Sequence, residues 1–491
     1  MVPSPSDSAQ ISSDFATLRC STIRDSLIRE GLFHSTASGS EGGFASTWRV
    51  SPTPYALSTS DLRFFEALGP QLLAFYRALN RLYMESVRGS QPAWVARYLD
   101  QGKPESLVAF GRMNRFKSSL PSVIRPDVLP TDEGMIITEL DSVPGGIGLT
   151  GVLGRLYASH DESNPAIAGG ADGMVEGFGR MVRSILGPEG GVTAIVVSEE
   201  AKDYRPEMQW LANALSRRDV ECVCIEPRDV RFTEDGLWAV VEGRERPIRL
   251  LYRFFELFDL KNVPKAELVM YSVKKAQVAA TPPFKPALEE KLALALFHHP
   301  VLSAYWRREL GDEIMAALTA VFPRTWILDP APLPPTAVIP HLMIGGDPVT
   351  DWRQLGQAGQ RERQLVVKPS GFSALAWGSR GVSIGHDLPQ AEWAQVLEEA
   401  LRSFDQLPHV LQHFHKARTI SMSYFDPDMT RLVPMQGRAR LCPYYFVVDD
   451  HVELGGILAT ICPADKKILH GMRDAILAPC AVAPGEQPGG E

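Results

Sequence analysis

Long apolar runs, cysteine pairs and surplus positive charge are all scarce in this chain, and each absence removes a class of protein. No apolar run approaches the ~20 residues that a bilayer span requires, and the opening MVPSPSDSAQ has neither the basic region nor the apolar stretch of a signal peptide. The expectation is a cytoplasmic protein that neither crosses nor enters a membrane. The six cysteines (Cys20, Cys222, Cys224, Cys442, Cys462 and Cys480) are scattered and form no C-x-x-C pair. That excludes a disulfide scaffold, a zinc ribbon and a thiol redox motif, and fits a reduced compartment. The 50 Lys and Arg are outnumbered by 58 Asp and Glu, for a net charge of −8. Sequence-independent nucleic-acid binding needs the opposite balance, so small-molecule partners are expected. What is there is 491 residues, 45% hydrophobic and 22% charged, without an internal repeat. At roughly 100–200 residues per domain, this is a packed protein of two to four domains. Nothing in the sequence fixes its oligomeric state.

Apolar residues recur at helical spacing from Ser60 to Tyr98 (Leu62, Phe65, Leu68, Leu72, Phe75, Leu79, Leu82), which predicts two or three amphipathic helices behind a loose Ser- and Gly-rich lead. Residues 1–120 are thus an N-terminal lead and helical region. Val123 to Leu129 and Gly134 to Asp141 read as short strands around the turn Pro130 to Gly134, with a Pro144-Gly145-Gly146 turn after them. Between Gly191 and Phe255 come a strand (VTAIVVS), a helix (Pro206 to Arg218), a strand (VECVCIEP) and two more strands (LWAVVEG, IRLLYRF). This order indicates a βαβ unit and a partly parallel sheet. A helix is expected from Pro286 to Leu296, an extended Pro-rich connector from Pro330 to Pro340, and mostly strands from Gln364 onward. The tail after Cys480 is Gly- and Pro-rich and is expected to be disordered.

Asp127 lies on one predicted strand and Glu139 and Asp141 on the next, where side chains two apart share a face. Antiparallel pairing brings Asp127 beside the other two. Three converging carboxylates call for a cation, and hard oxygen ligands favour Mg²⁺ held together with phosphates. The competing reading is an exposed acidic hairpin. Lys368 ends the apolar strand QLVVKPS and enters GFSALAWGSRGVSIG, whose glycines are Gly371, Gly378, Gly381 and Gly385. A lysine opening a glycine loop suits nucleotide phosphates, although a solvated lysine before a hairpin has the same pattern. Arg438 and Arg440 alternate on a strand, so both guanidiniums face one side, as phosphate or carboxylate recognition requires and as an ordinary surface strand also allows. Gly146 to Gly151 spells G-x-G-x-x-G, but Asp141 to Pro144 intervenes after the strand, and Ala166 to Met174 is not the second strand of a dinucleotide fold. Cys222-Val-Cys224 reads as small buried hydrophobes, and His413-Phe-His415, with no acid or cysteine to complete a site, as sheet histidines. Lys291, behind two glutamates at a helix start, reads by itself as a solvated face.

Taken together these segments resemble the circularly permuted ATP-grasp superfamily, which includes the glutathionylspermidine and trypanothione synthetases. The carrying residues are Arg125-Pro-Asp127 and, twelve residues beyond Asp127, Glu139-Leu-Asp141, which are similar to that family's R-x-D and E-x-N strands, together with VVKP at Lys368 and its glycine loop. The early position of the E-x-N-like element matches the permuted members. The resemblance spans roughly residues 60 to 475. It implies an α/β (α+β) ATP-grasp fold, circularly permuted, with a metal-bearing segment at 121–188 and a βαβ pre-ATP-grasp domain at 189–275. Nucleotide-binding subdomains would occupy 276–480 and a tail 481–491. It further implies Mg²⁺ on Asp127, Glu139 and Asp141, and ATP on Lys291, Lys368, Gly378, Gly381 and Gln412. Arg440, with Arg438 and Arg125, would stabilise transferring phosphoryl and tetrahedral oxygens, and Tyr204 to Glu207 is a candidate substrate wall. Asp141 stands where the family has Asn, and Thr460 where related proteins often carry an arginine.

The function so implied is an ADP-forming carboxylate–amine ligase that works through an acyl phosphate, with ATP and Mg²⁺ as cofactors and a small carboxylate and amine as substrates. The alternatives are a nucleotide-binding protein of the same fold without turnover and, further off, a dinucleotide oxidoreductase. The substrates themselves are not legible.

Overall fold

A computed structural model describes residues 5–33, 48–158, 166–426, 431–469 and 474–482. Where a loose lead is expected, Pro5–Arg29 is a helix, held because Cys20, Ile23 and Leu27, spaced three and four apart, are buried on one side of it. The Ser/Gly-rich stretch 34–47 and the tail 483–491 lie outside the described residues, while Ala481 and Val482 complete a strand. The helix Thr59–Val87 opens on a capping box, in which the Asp61 amide donates to Ser58 Oγ at 3.0 Å and the Ser58 amide to Asp61 Oδ2 at 3.1 Å. Its stripe of Phe65, Leu68, Leu72, Phe75, Leu79 and Leu82 is buried throughout. A second helix, Ala93–Asp100, follows.

The large sheet has the order Tyr55–Leu57, Ile476–Val482, His451–Pro463, Arg431–Val448, Val123–Thr131, Gly134–Asp141, with Thr419–Asp426 and Ala166–Ile167 pairing beside this path. Early and late parts of the chain therefore share one sheet: Val123–Thr131 runs antiparallel to Arg431–Val448, with Leu441 opposite Val128. Alternation sorts the side chains. Ile124, Val128, Leu441, Tyr445 and Ile457 bury one face against Thr59–Val87 and the helices Leu292–His298 and Ser303–Val321. Tyr444, Phe446 and Leu458 bury the other under the helices Ile147–Ala158, Gly173–Leu186 and Arg205–Ser216. Arg125, Asp127 and Arg440 alternate onto this second face.

The βαβ unit forms as its pattern predicts. Val192–Val197 lies parallel to Cys222–Ile225 and to Arg244–Phe254, with Arg205–Ser216 as the crossover helix. Ala279–Thr281 adds a further parallel strand, carrying this sheet past the expected boundary at 275. A four-stranded antiparallel sheet, ordered Thr325–Ile327, His409–His413, Leu365–Pro369, Ser383–Ile384, packs against the helix Gln390–Arg402. The helix expected from Pro286 is a single 3₁₀ turn, Pro286–Leu288, followed by Leu292–His298. The start is delayed because Glu289 and Glu290 turn inward to ion-pair with Arg253 and Lys103. Among the described residues no helix is long and apolar enough to cross a membrane.

The G-x-G-x-x-G segment has a packing explanation. A Cβ on Gly148 would collide with the Glu207 carbonyl oxygen, so the glycine permits the close contact between Ile147–Ala158 and Arg205–Ser216. The N-terminus of Ile147–Ala158 is capped by the Glu207 carboxylate, which accepts from the Gly146 amide at 2.6 Å and the Leu149 amide at 2.9 Å. A protein carboxylate thus takes the place at this helix N-terminus that a pyrophosphate has in a dinucleotide fold.

Burial pushes the Glu207 carboxyl up from 4.5 to about 7. The folded chain then binds this proton more tightly than the unfolded chain, so stability is greatest below the ordinary carboxyl value and declines as pH rises through about 7. Across that window wild type should lose on the order of 3 kcal/mol more than Glu207→Gln, by urea unfolding at a series of pH values. Parallel pH dependences would show that Glu207 does not titrate there.

Candidate active site

The strands Val123–Thr131 and Gly134–Asp141 pair with Arg125 opposite Asp141 and Asp127 opposite Glu139. Strict alternation would put Glu139 and Asp141 on the same face as the buried Ile137. A bulge prevents this: Val128 faces Ile137 and Asp127 faces Glu139, leaving Thr138 without a partner in the ladder. The extra residue carries the acids to the opposite face. Thr138 contributes as well, because its carbonyl accepts a bond from Lys368 Nζ at 3.2 Å.

Every acid of the cluster meets a cation. Asp127 accepts from Arg440 Nη1 at 2.9 Å through Oδ2, and through Oδ1 it pairs with Arg125 Nη2 at 3.1 Å and accepts from the Cys442 thiol at 3.4 Å. Arg125 also bonds Asp141, which accepts the Val143 amide at 3.1 Å. Lys291 Nζ pairs with Glu139 Oε1 at 2.8 Å. Lys368 donates to Gln412 Oε1 at 2.9 Å, and the Gln412 amide is oriented by donating to Thr325 Oγ1 at 3.1 Å. Burial raises the Asp141 carboxyl above its ordinary value. Burial also works against charge on Arg125, Arg440 and Lys291, but Asp127 and Asp141 hold Arg125, Asp127 holds Arg440, and Glu139 holds Lys291 above their ordinary values. Lys368 has no carboxylate within ion-pair distance among the described residues, and burial lowers it to about 8.

Asp127, Glu139 and Asp141 share one face of this hairpin, with cations set between them. Among the described residues no group of three or more His, Cys, Asp or Glu side chains is gathered closely enough to hold a metal. Arg125 stands between Asp127 and Asp141, and Lys291 engages Glu139, which relieves the repulsion that a cation would otherwise have to offset. The donors are nonetheless hard carboxylate oxygens of the kind Mg²⁺ prefers, and Asp141 and Glu139 keep 24% and 31% of their side-chain surface exposed.

Arg438 shares the face of Arg440 but bonds the Ala464 carbonyl, and among the described residues no hydrogen bond or ion pair joins it to the three acids. Thr460 lies directly opposite Arg440 in the ladder. The glycine loop crosses the cleft to the βαβ unit. The Ala376 carbonyl accepts from Lys291 Nζ at 3.0 Å, Trp377 meets the Tyr204 ring edge-on at 6.3 Å, and Arg380 pairs with Glu200 at 3.1 Å. Gly378 has φ +64°, a left-handed turn suited to glycine, and the Gly381 amide closes the loop onto the Leu375 carbonyl at 2.9 Å. Of the expected substrate wall, Tyr204 faces the cluster and packs on Gly145, whereas Arg205 pairs with Glu226 at 2.5 Å and Glu207 caps a helix. Burial, then Glu207 and Asp141, push the Tyr204 phenol up to about 12. The sequence reading missed Thr138 and Cys442; for Cys442 a signal existed, since it continues the alternation of Arg438 and Arg440.

Because Asp127 and Arg440 touch, a double-mutant cycle of Asp127→Ala with Arg440→Ala should give a coupling of ~1–3 kcal/mol in urea unfolding. The cycle of Asp127→Ala with Arg438→Ala should give less than about 0.5 kcal/mol. Equal couplings would contradict the separation of the two arginines.

No protein-family model matches the chain, and no curated protein sequence matches it. Among solved structures it is similar to a glutathione synthetase-like effector from Globodera pallida in its apo form, at 12% identity over 96% of this chain and 97% of that chain, with a TM-score of 0.57. It is also matched to a protein assigned as a gamma-glutamylcysteine synthetase from Methylobacillus flagellatus KT, at 10% identity over 85% of this chain and 90% of that chain, with a TM-score of 0.41. The first likeness, nearly end to end at such low identity, is a likeness of fold: a mixed α/β architecture of several sheets.

Proposed function

We propose that the cleft is the active site of a circularly permuted ATP-grasp ligase that joins a small carboxylate to a small amine and releases ADP and phosphate. The observation that carries this reading is charge: three carboxylates on two adjacent strands are paired with Arg125, Arg440 and Lys291, Lys368 stands beside them on the Thr138 carbonyl without an acid partner among the described residues, and a glycine loop roofs the cleft. Such a cleft has cations to offer a polyphosphate. The end-to-end likeness to a glutathione synthetase-like effector agrees with a ligase. The pairing of Val123–Thr131 with Arg431–Val448 across the βαβ unit agrees with the permuted order.

On nucleotide binding, Lys291 and Lys368 exchange their bonds to Glu139, Ala376 and Thr138 for phosphate oxygens. Asp127, Glu139 and Asp141 are then the residues to hold Mg²⁺, which when bound neutralises charge on the phosphates. A carboxylate oxygen of the substrate attacks the γ-phosphorus in line and the bond to ADP breaks. The amine nitrogen next attacks the acyl carbon and phosphate leaves. Among the described residues the buried Nε–H groups of Arg125 and Arg440 have no hydrogen-bond partner, and this reading assigns these two guanidiniums to the oxygens that gain charge in these steps. Tyr204 and Trp377, meeting above the site, exclude water from the acyl phosphate.

Wild type should release ADP in a Mg²⁺-dependent way from ATP with some pair in a panel of amino acids, dicarboxylates and simple amines, and Lys368→Ala should lower the rate by about 10²–10³-fold. Nucleotide binding without ADP release across the panel would instead make the chain a nucleotide-binding protein of this fold.

A further inference from the structure

Among the described residues the acids around the cleft are engaged with one exception. Asp127 and Asp141 are held by arginines, Glu139 by Lys291, Glu289 by Arg253 and Glu290 by Lys103, the last pair at 2.6 Å with both side chains almost fully buried. Glu256 differs: among the described residues no basic side chain lies within ion-pair distance of its carboxylate, whose hydrogen bond is from the hydroxyl of Ser142, at 3.3 Å to Oε2. It is half-buried, two residues beyond the end of Arg244–Phe254. That is the carboxyl end of a parallel strand, the edge of an open α/β sheet where ligands bind. Through Ser142 it touches the residue next to Asp141, so it borders the cluster just described.

Resting on the ligase reading, we propose that Glu256 receives the amine substrate as a primary ammonium and takes its proton, which makes an aliphatic primary amine the class of substrate at this edge. An ammonium supplies the cationic partner that the carboxylate lacks and three N–H donors for Glu256 and Ser142. The step balances. R–NH₃⁺ gives one proton to the Glu256 carboxylate, and the freed lone pair attacks the acyl carbon. The C–N bond forms, the C–O bond to phosphate breaks, and the second proton departs with phosphate. The groups around Glu256 suit a base. Burial, with Glu289 and Asp141, raises its proton affinity above that of an ordinary carboxyl, while Arg253 and Lys291 restrain the rise.

Hydroxylamine, which is neutral near pH 7, separates the roles because it needs no base to become a nucleophile. With the carboxylate found in the ADP-release screen, Glu256→Gln should slow amide formation from ethylamine or glycine by about 10²–10³-fold and hydroxamate formation by less than about 3-fold. Glu256→Asp, which keeps the carboxylate, should recover part of the amide rate. An equal loss with both nucleophiles in Glu256→Gln, ATP binding being retained, would overturn the role of Glu256 and leave the ligase standing. If wild type forms no hydroxamate with any carboxylate, the ligase reading itself falls.

Discussion

The buried carboxylate of Asp127 is the constraint on which the site depends. It sits on an interior strand of the large sheet at 7% exposure, where an unpaired charge costs several kcal/mol, and it is tolerated because Arg125 and Arg440 hold both of its oxygens. Those two arginines come from opposite ends of the chain, so the pairing requires that Val123–Thr131 and Arg431–Val448 be neighbours. Once they are, the remaining charges follow. Arg125 reaches Asp141, the strand carrying Asp141 presents Glu139, and Glu139 draws in Lys291 from a helix start that belongs to another layer.

This network also explains why the layers meet where they do. Lys368 ends a strand of the four-stranded sheet and bonds a carbonyl of the large sheet, while Ser142 touches Glu256 at the edge of the βαβ sheet. Three sheets thus converge on one bulged hairpin. The glycine loop closes the fourth side by resting Ala376 on Lys291 and Trp377 on Tyr204.

Much of the scaffold was legible because it rests on local rules. The strand Gly134–Asp141 ends where its alternation and turn residues end, the long helix Thr59–Val87 follows its apolar stripe, and the βαβ crossover lies where strands alternate with a helix. The candidate site was legible only in part. A period of two cannot reveal the bulge at Thr138, so the facing of Glu139 and Asp141 was unpredictable from spacing even though their identity was apparent. Alternation puts Arg125 on the face of Asp127, but its reach to Asp141 follows from the pairing of the two strands, which spacing alone does not give. Arg438 shows the same limit: alternation assigns its face, but the Ala464 carbonyl that captures it comes from a loop 26 residues away. The late start of the helix after Lys291 reflects ion pairs to Arg253 and Lys103, partners distant in the chain.

The central claim is that the cations of this cleft are held in reserve for a polyphosphate. A crystal structure with a non-hydrolysable ATP analogue and Mg²⁺ tests it most directly. The account predicts the triphosphate beneath the 371–385 loop, with Lys291 Nζ moved from Glu139 to a phosphate oxygen and Lys368 on the same chain of phosphates. A nucleotide bound elsewhere, or one bound in the cleft with the 2.8 Å Lys291–Glu139 pair intact, would contradict it.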